Sequence, residues 1–246
     1  MYSQGDFVRD YVFPIVLTED KDEGKNFKKF LGTGFLIGNR GYALTASHVL
    51  SKLTQNICCI FCVDNMWRGY RVINIEHHPK LDLALIKLEG DFWKTPFIIS
   101  PEKQFGWIDY FLCGYPEAVL FEHDQINSSG QLLPKPDMIH TKGHIRRRIH
   151  GNIKVVKGDI FYEVSDLSGW GCSGSPLFQF NSDKSWKVIG IYIAQKIFYS
   201  ENDYDKDIKY IDYGVGYAIP TDSFYEWKPK ILEGKSIYEE SLNFSQ

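Results

Sequence analysis

Short runs rich in Val, Ile, Phe and Tyr recur along the whole chain, separated by residues that favour turns. "VFPIVL", "GFLIG", "YALTA", "ICCIFCV", "YRVINIE", "LALIKL", "DYFLCGYP", "VIGIYIAQ" and "GVGYAIP" are the clearest. Branched and aromatic side chains suit a pleated, half-buried surface, and this punctuation spells an all-β fold. Only the end of the chain suggests a helix. Ser223 and Glu226 make a capping-box pair, and Pro229 limits how far that helix can run. Residues 96–106, "PFIISPEKQFG", read as a connector between two groups of strands. The expected division is therefore 1–100 and 104–230, with residues 231–246 a polar, peripheral tail.

The 246 residues suffice for one large domain or two small ones. A net charge of -3 gives no reason to expect a nucleic-acid binder. The start, "MYSQGDFVRDYVF", lacks the basic and apolar regions of a signal peptide, and no run approaches the length needed to span a bilayer. A cytoplasmic protein without membrane association is expected. Of the five cysteines, Cys58, Cys59 and Cys62 lie together in "ICCIFCV" without a second ligand pair elsewhere, so no metal is expected. Alternation puts Ile57, Cys59, Phe61 and Val63 on one face of a strand, which reads as buried, reduced thiols.

Two segments carry unusual charge. Residues 199–213 are acidic but lack the spacing of a calcium loop, and read as a solvated insertion. Residues 140–158 are basic with almost no aromatics to stack bases, and read as an exposed strand pair or a site for acidic partners.

"GWGCSGSPLF" brings three candidate nucleophiles together, Cys172, Ser173 and Ser175. A serine hydroxyl needs a base to take its proton, and the base needs a group that fixes its tautomer and stabilises its charge. "GYALTASHVL" supplies His48 just after an apolar strand, and "HHPKLDLALIKL" supplies Asp82 at the mouth of another. His77 and His78 are rival bases four or five residues before Asp82 and are read as surface residues.

"GTGFLIGNRGYALTASHVL", "LDLALIKL", "GWGCSGSPLF" and "YGVGYAIP" together resemble the successive blocks of a chymotrypsin-like serine peptidase, closest to the HtrA/DegP-type branch. The resemblance runs from Val12 to Trp227. It implies two antiparallel six-stranded β-barrels with a triad in the cleft between them. His48 and Asp82 would come from the first barrel and Ser173 from the second. The family pattern Gly-x-Ser-Gly-Gly/Ser-Pro selects Ser173 as nucleophile, with the N–H groups of Gly171 and Ser173 as oxyanion hole. The substrate pocket would be lined by Leu167, Ile193, Ala194, Gln195, Val215 and Gly216. Leu167 stands where trypsin-like enzymes have Asp, which favours an apolar side chain; a one-residue slip would instead bring in Asp166.

Val49 and Cys172 stand where secreted relatives have a disulfide cysteine and the aspartate of zymogen activation. The resemblance therefore implies an intracellular serine endopeptidase without a cofactor, acting on protein or peptide substrates. Control would come from loop ordering or an activating partner, as in a stress or defence effector. No PDZ domain is expected after Trp227. The alternative reading is a catalytically silent binding or scaffold module of the same fold.

Overall fold

The first six apolar runs form a ring of antiparallel strands. These are β1 (Val12–Lys21), β2 (Gly24–Ile37), β3 (Tyr42–Ala46), β4 (Ile57–Val63), β5 (Met66–His77) and β6 (Leu83–Leu88). Their order is β1-β2-β3-β6-β5-β4, and β4 returns to pair with β1, so the barrel closes and leaves no edge. The structure is a computed structural model describing residues 6–21, 24–50, 56–63, 66–91, 93–117, 137–153, 156–180, 186–201 and 209–243. Ile57, Cys59 and Phe61 are buried as their alternation predicts, with Phe61 packed on Phe13 at 4.6 Å. Cys58 is buried as well, its thiol 3.7 Å from the Thr18 hydroxyl. The side chains of Val63 and Cys62 lie outside the described residues.

The second ring contains β8 (Ile108–Gly114), β9 (Ile139–His150), β10 (Ile160–Val164), β11 (Pro176–Phe180), β12 (Trp186–Glu201) and β13 (Lys209–Pro220). Its order is β11-β8-β9-β10-β13-β12, closed by pairing of β12 with β11. The fold is all-β with two six-stranded antiparallel barrels. The connector contains one more strand, β7 (Phe97–Ile99), which runs parallel to β12 on the second barrel.

Both charged segments contain paired strand. Most of the basic stretch is β9, where Lys142 pairs with Asp109, Arg147 with Glu163, and Arg148 bidentately with Asp222. Much of its positive charge is met locally by carboxylates. The ends of the acidic stretch extend the β12–β13 hairpin, with Tyr199 opposite Ile211 and Glu201 opposite Lys209.

The C-terminus departs from expectation. Ser223 does not cap a helix; its hydroxyl donates to the Pro220 carbonyl at the end of a single 3-10 turn. The capping box forms instead at Ser236 and Glu239 and opens α2 (Ile237–Ser241). Nor is this tail peripheral: Leu232, Ile237, Glu240 and Ser241 are fully buried. Glu240 accepts a bidentate pair from Arg40 of the first barrel, and the Ser241 hydroxyl accepts from Ile99 N–H on β7.

Candidate active site

β3 ends at Ala46 and the chain turns at once into α1 (Ser47–Leu50), a single turn that carries His48 on its exposed side. Val49 and Leu50 face the core and fix the turn. Asp82 ends the loop between β5 and β6 and is buried. Its carboxylate takes both groups that His48 offers: Oδ1 accepts from the His48 N–H at 2.9 Å, and Oδ2 lies 2.6 Å from Nδ1. The Ser47 N–H adds a bond to the Asp82 carbonyl. An imidazole held this way at Nδ1 leaves the acid–base role to Nε2.

The glycine-rich turn before β11 is held from both barrels. Thr33 on β2 donates its N–H to the Ser173 carbonyl and its hydroxyl to the Gly171 carbonyl, both at 2.9 Å. The same hydroxyl oxygen accepts from the Tyr115 N–H at 3.0 Å. Gly32 lies between Val49, next to His48, and the Ser173 carbonyl. Gly171 and Gly174 have φ of +97° and +93°, and a Cβ on either would strike Phe30 or the Thr33 carbonyl respectively. Only glycine fits both the conformation and the space.

The Trp170 carbonyl accepts from the Glu117 N–H at 2.7 Å. Because a trans peptide directs its C=O and N–H to opposite sides, the Gly171 N–H points away from Glu117. The Ser173 hydroxyl donates to the Ile193 carbonyl at 3.1 Å. Cys172 is a poor candidate nucleophile: it is fully buried, its thiol donates to the Ser168 carbonyl, and burial pushes its pKa far up. Ser175 is fully buried too, with no partner for its hydroxyl among the described residues.

The candidate pocket residues divide by strand face. Gly216 backs onto Val164, Tyr192 and the Asp166 carbonyl, and Leu167 lies over Gly214. Val215 is buried and, by alternation, faces the other way. Ile193 is buried beside half-buried Ala194, and Gln195 accepts from the Gly169 N–H and the Tyr192 hydroxyl. Asp166 is occupied by hydrogen bonds from Thr141 and Ser168.

His77 is exposed, as expected, and its Nδ1 lies 2.7 Å from the Ser47 hydroxyl. His78 is not simply a surface residue. It is half-buried, and its Nδ1 accepts from two backbone N–H groups of the loop that leads to Asp82. Thr33, Glu117 and His78 are the supporting residues that sequence reading missed. Thr33 stands in the conspicuous "GTGF" block, but its task depends on a contact between barrels.

Two closed barrels that meet at such a turn define the chymotrypsin-like class of fold. The sequence profile of the trypsin-like peptidase domain matches residues 32–191, and the chain belongs to that family. No curated protein sequence matches it. Among solved structures, the HtrA-type protease AlgW with a decapeptide is 18% identical, with a TM-score of 0.57. That alignment covers 90% of this chain and 65% of AlgW, so this chain spans just under two thirds of its relative. The Rv3671c protease of M. tuberculosis, in its active form, is 18% identical over 88% of this chain and 78% of its own, with a TM-score of 0.54. The MamO protease domain of Magnetospirillum magneticum is 16% identical over 88% and 94%, also at 0.54. At these identities the likeness is one of fold. Among the described residues no helix is long and apolar enough to cross a membrane.

Proposed function

We propose that this chain is a serine endopeptidase with Ser173 as nucleophile, His48 as general base and Asp82 as the carboxylate that orients it. The observation that carries the reading is the double attachment of Asp82 to His48, beside a Ser173 turn docked on the same barrel. The Ser173 hydroxyl rotates from the Ile193 carbonyl to His48 Nε2, gives up its proton there and attacks the scissile carbonyl. Asp82 stabilises the imidazolium, which then protonates the leaving amine. The N–H groups of Gly171 and Ser173 receive the oxyanion, and the tethering of the Trp170 and Gly171 carbonyls supports this use of the Gly171 peptide. Water then releases the acyl group by the same steps.

A protein or peptide substrate follows from the reaction, with the P1 side chain in the pocket between Leu167 and residues 193–195 and 214–216. The engagement of Asp166 by two hydroxyls supports an apolar P1 residue over a basic one. Four buried cysteines outside any disulfide, Cys58, Cys59, Cys113 and Cys172, support a reducing, cytoplasmic setting. The resting Ser173–Ile193 bond supports control by loop ordering or a partner, in the manner of a stress or defence effector.

The test is intact-mass labelling with a fluorophosphonate, on wild type and Ser173→Ala. A single adduct, lost in the variant, is expected. In turnover, Ser173→Ala or His48→Ala should each cost about 10⁶-fold. A folded wild type that stays unlabelled, alone and in lysate, would favour the silent scaffold.

A further inference from the structure

The β5–β6 loop, His78 to Asp82, has an unusual internal support. His78 donates its N–H to the Leu83 carbonyl at 2.8 Å. Its ring then folds back over the loop, and Nδ1 accepts from the N–H groups of Lys80 at 3.2 Å and Leu81 at 2.9 Å. This is the pattern an Asn or Asp makes in an Asx turn, with a ring nitrogen in place of the carboxyl oxygen. A nitrogen that accepts from two donors cannot itself carry a proton, so the imidazole is neutral with its proton on Nε2.

The same loop is clamped from outside. The Asp82 N–H donates to the Lys157 carbonyl at 2.8 Å, and the Lys157 ammonium reaches the His78 carbonyl at 3.2 Å. Trp227 packs edge-on against the His78 ring at 4.9 Å. The charges acting on the ring are Lys157 from the second barrel and Lys80 from its own loop, and both oppose protonation. Burial first, and then these two charges, lower the His78 pKa from 6.5 to about 4.

We propose that His78 is a positioning residue for Asp82: its neutral ring folds the turn that holds the carboxylate against His48. This rests on the reading of Asp82 as the catalytic carboxylate. The His48 N–H and Nδ1 both depend on where that carboxylate stands, so a slack turn misplaces the base without touching substrate contacts.

The experiment compares His78→Ala and His78→Asn with wild type. Asn puts an acceptor oxygen at nearly the position of Nδ1, whereas Ala removes it. His78→Ala is expected to lower kcat by about 10²-fold, the usual cost of misplacing a catalytic group by about 1 Å, with KM little changed. His78→Asn should recover most of that loss. The second readout needs no turnover. The far-downfield proton NMR resonance of the short His48 Nδ1–Asp82 bond should persist in wild type and His78→Asn, and broaden or vanish in His78→Ala. Equal behaviour of the Ala and Asn variants, in kcat and in this resonance, would overturn the proposal. If wild type proves inert to the fluorophosphonate both alone and in lysate, the peptidase reading fails and the resonance alone decides the role of His78. If His78→Ala does not fold, imidazole nitrogen shifts of wild type decide. Nδ1 of His78 unprotonated at about pH 5.5, where an ordinary imidazole is largely charged, supports the proposal; a charged His78 there ends it.

Discussion

At the scale of single residues, the candidate site depends on groups that do no chemistry. Thr33 is fully buried and its hydroxyl serves two backbone groups, the Gly171 carbonyl and the Tyr115 N–H. Thr33→Val keeps the shape and strands both. Such unpaired buried groups cost about 1–3 kcal/mol, so the urea midpoint should fall. Activity should fall further than stability alone explains, because the Gly171 carbonyl would lose its side-chain tether. Thr33→Ser should behave as wild type in both measurements; a Val variant with unchanged kcat would show that the Gly171 peptide needs no such tether. A second prediction separates serine from cysteine chemistry. Burial raises the Cys172 pKa far above neutrality, and its Sγ is occupied by the Ser168 carbonyl. Native protein at pH 8 should therefore label at Ser173 with a fluorophosphonate while Cys172 resists iodoacetamide, both read by peptide mass mapping. Rapid alkylation of Cys172 in folded protein would contradict its assigned burial.

Among the elements, α2 shows how a helix of only five residues can matter. Glu240 at its end is fully buried, and its carboxylate meets the Arg40 guanidinium, which is partly exposed at 34%. Removing one member of a buried pair commonly costs about 3–5 kcal/mol, and the exposure of Arg40 brings the expectation for Glu240→Ala to about 2–3 kcal/mol. Thermal denaturation should show that loss, and Glu240→Gln should lose less, since a carboxamide still accepts from Arg40. The β5–β6 loop makes an element-scale prediction about pH. A histidine whose folded pKa is lowered binds its proton more readily when unfolded, so acid favours unfolding. The His78 contribution to stability is complete above about pH 6.5 and declines as pH falls from 6.5 to about 4. Carboxylates add their own acid sensitivity, so the measurement is the difference between wild type and His78→Asn. Wild type should lose stability relative to the variant across that window and not above it.

For the whole molecule, what could be read from sequence and what could not divide along the barrel interface. Strand runs such as "LALIKL" and "YALTA" declare themselves by local composition, and both are buried on both faces. The short β7 is only three residues and parallel, so nothing local marks it as a strand. Two Ser-x-x-Glu pairs stand near the C-terminus, and sequence cannot rank them. Ser236 and Glu239 form the box, while the Ser223 hydroxyl is taken by the Pro220 carbonyl. His48, Asp82 and Ser173 were legible as candidates because each lies in a recognisable block. Thr33, Glu117 and Lys157 were not, because each acts on a segment distant in sequence.

Those long-range bonds lead to a last prediction. The site draws on both barrels, and the connections between them include backbone bonds: Thr33 N–H to Ser173, Asp82 N–H to Lys157. The Tyr115 hydroxyl adds a bond from the second barrel to the Val12 carbonyl, and α2 reaches both Arg40 on the first barrel and β7 on the second. Neither barrel can lose its structure without leaving buried groups of the other unpaired, which is the condition for cooperative unfolding. Circular dichroism, tryptophan fluorescence and the loss of fluorophosphonate reactivity should therefore fall on one thermal transition. Glu240→Ala should move all three by the same amount, although α2 makes none of the described bonds to His48, Asp82 or Ser173. Reactivity that disappears well below the structural transition would instead mean that the barrels part, or the Ser173 turn opens, before either barrel melts.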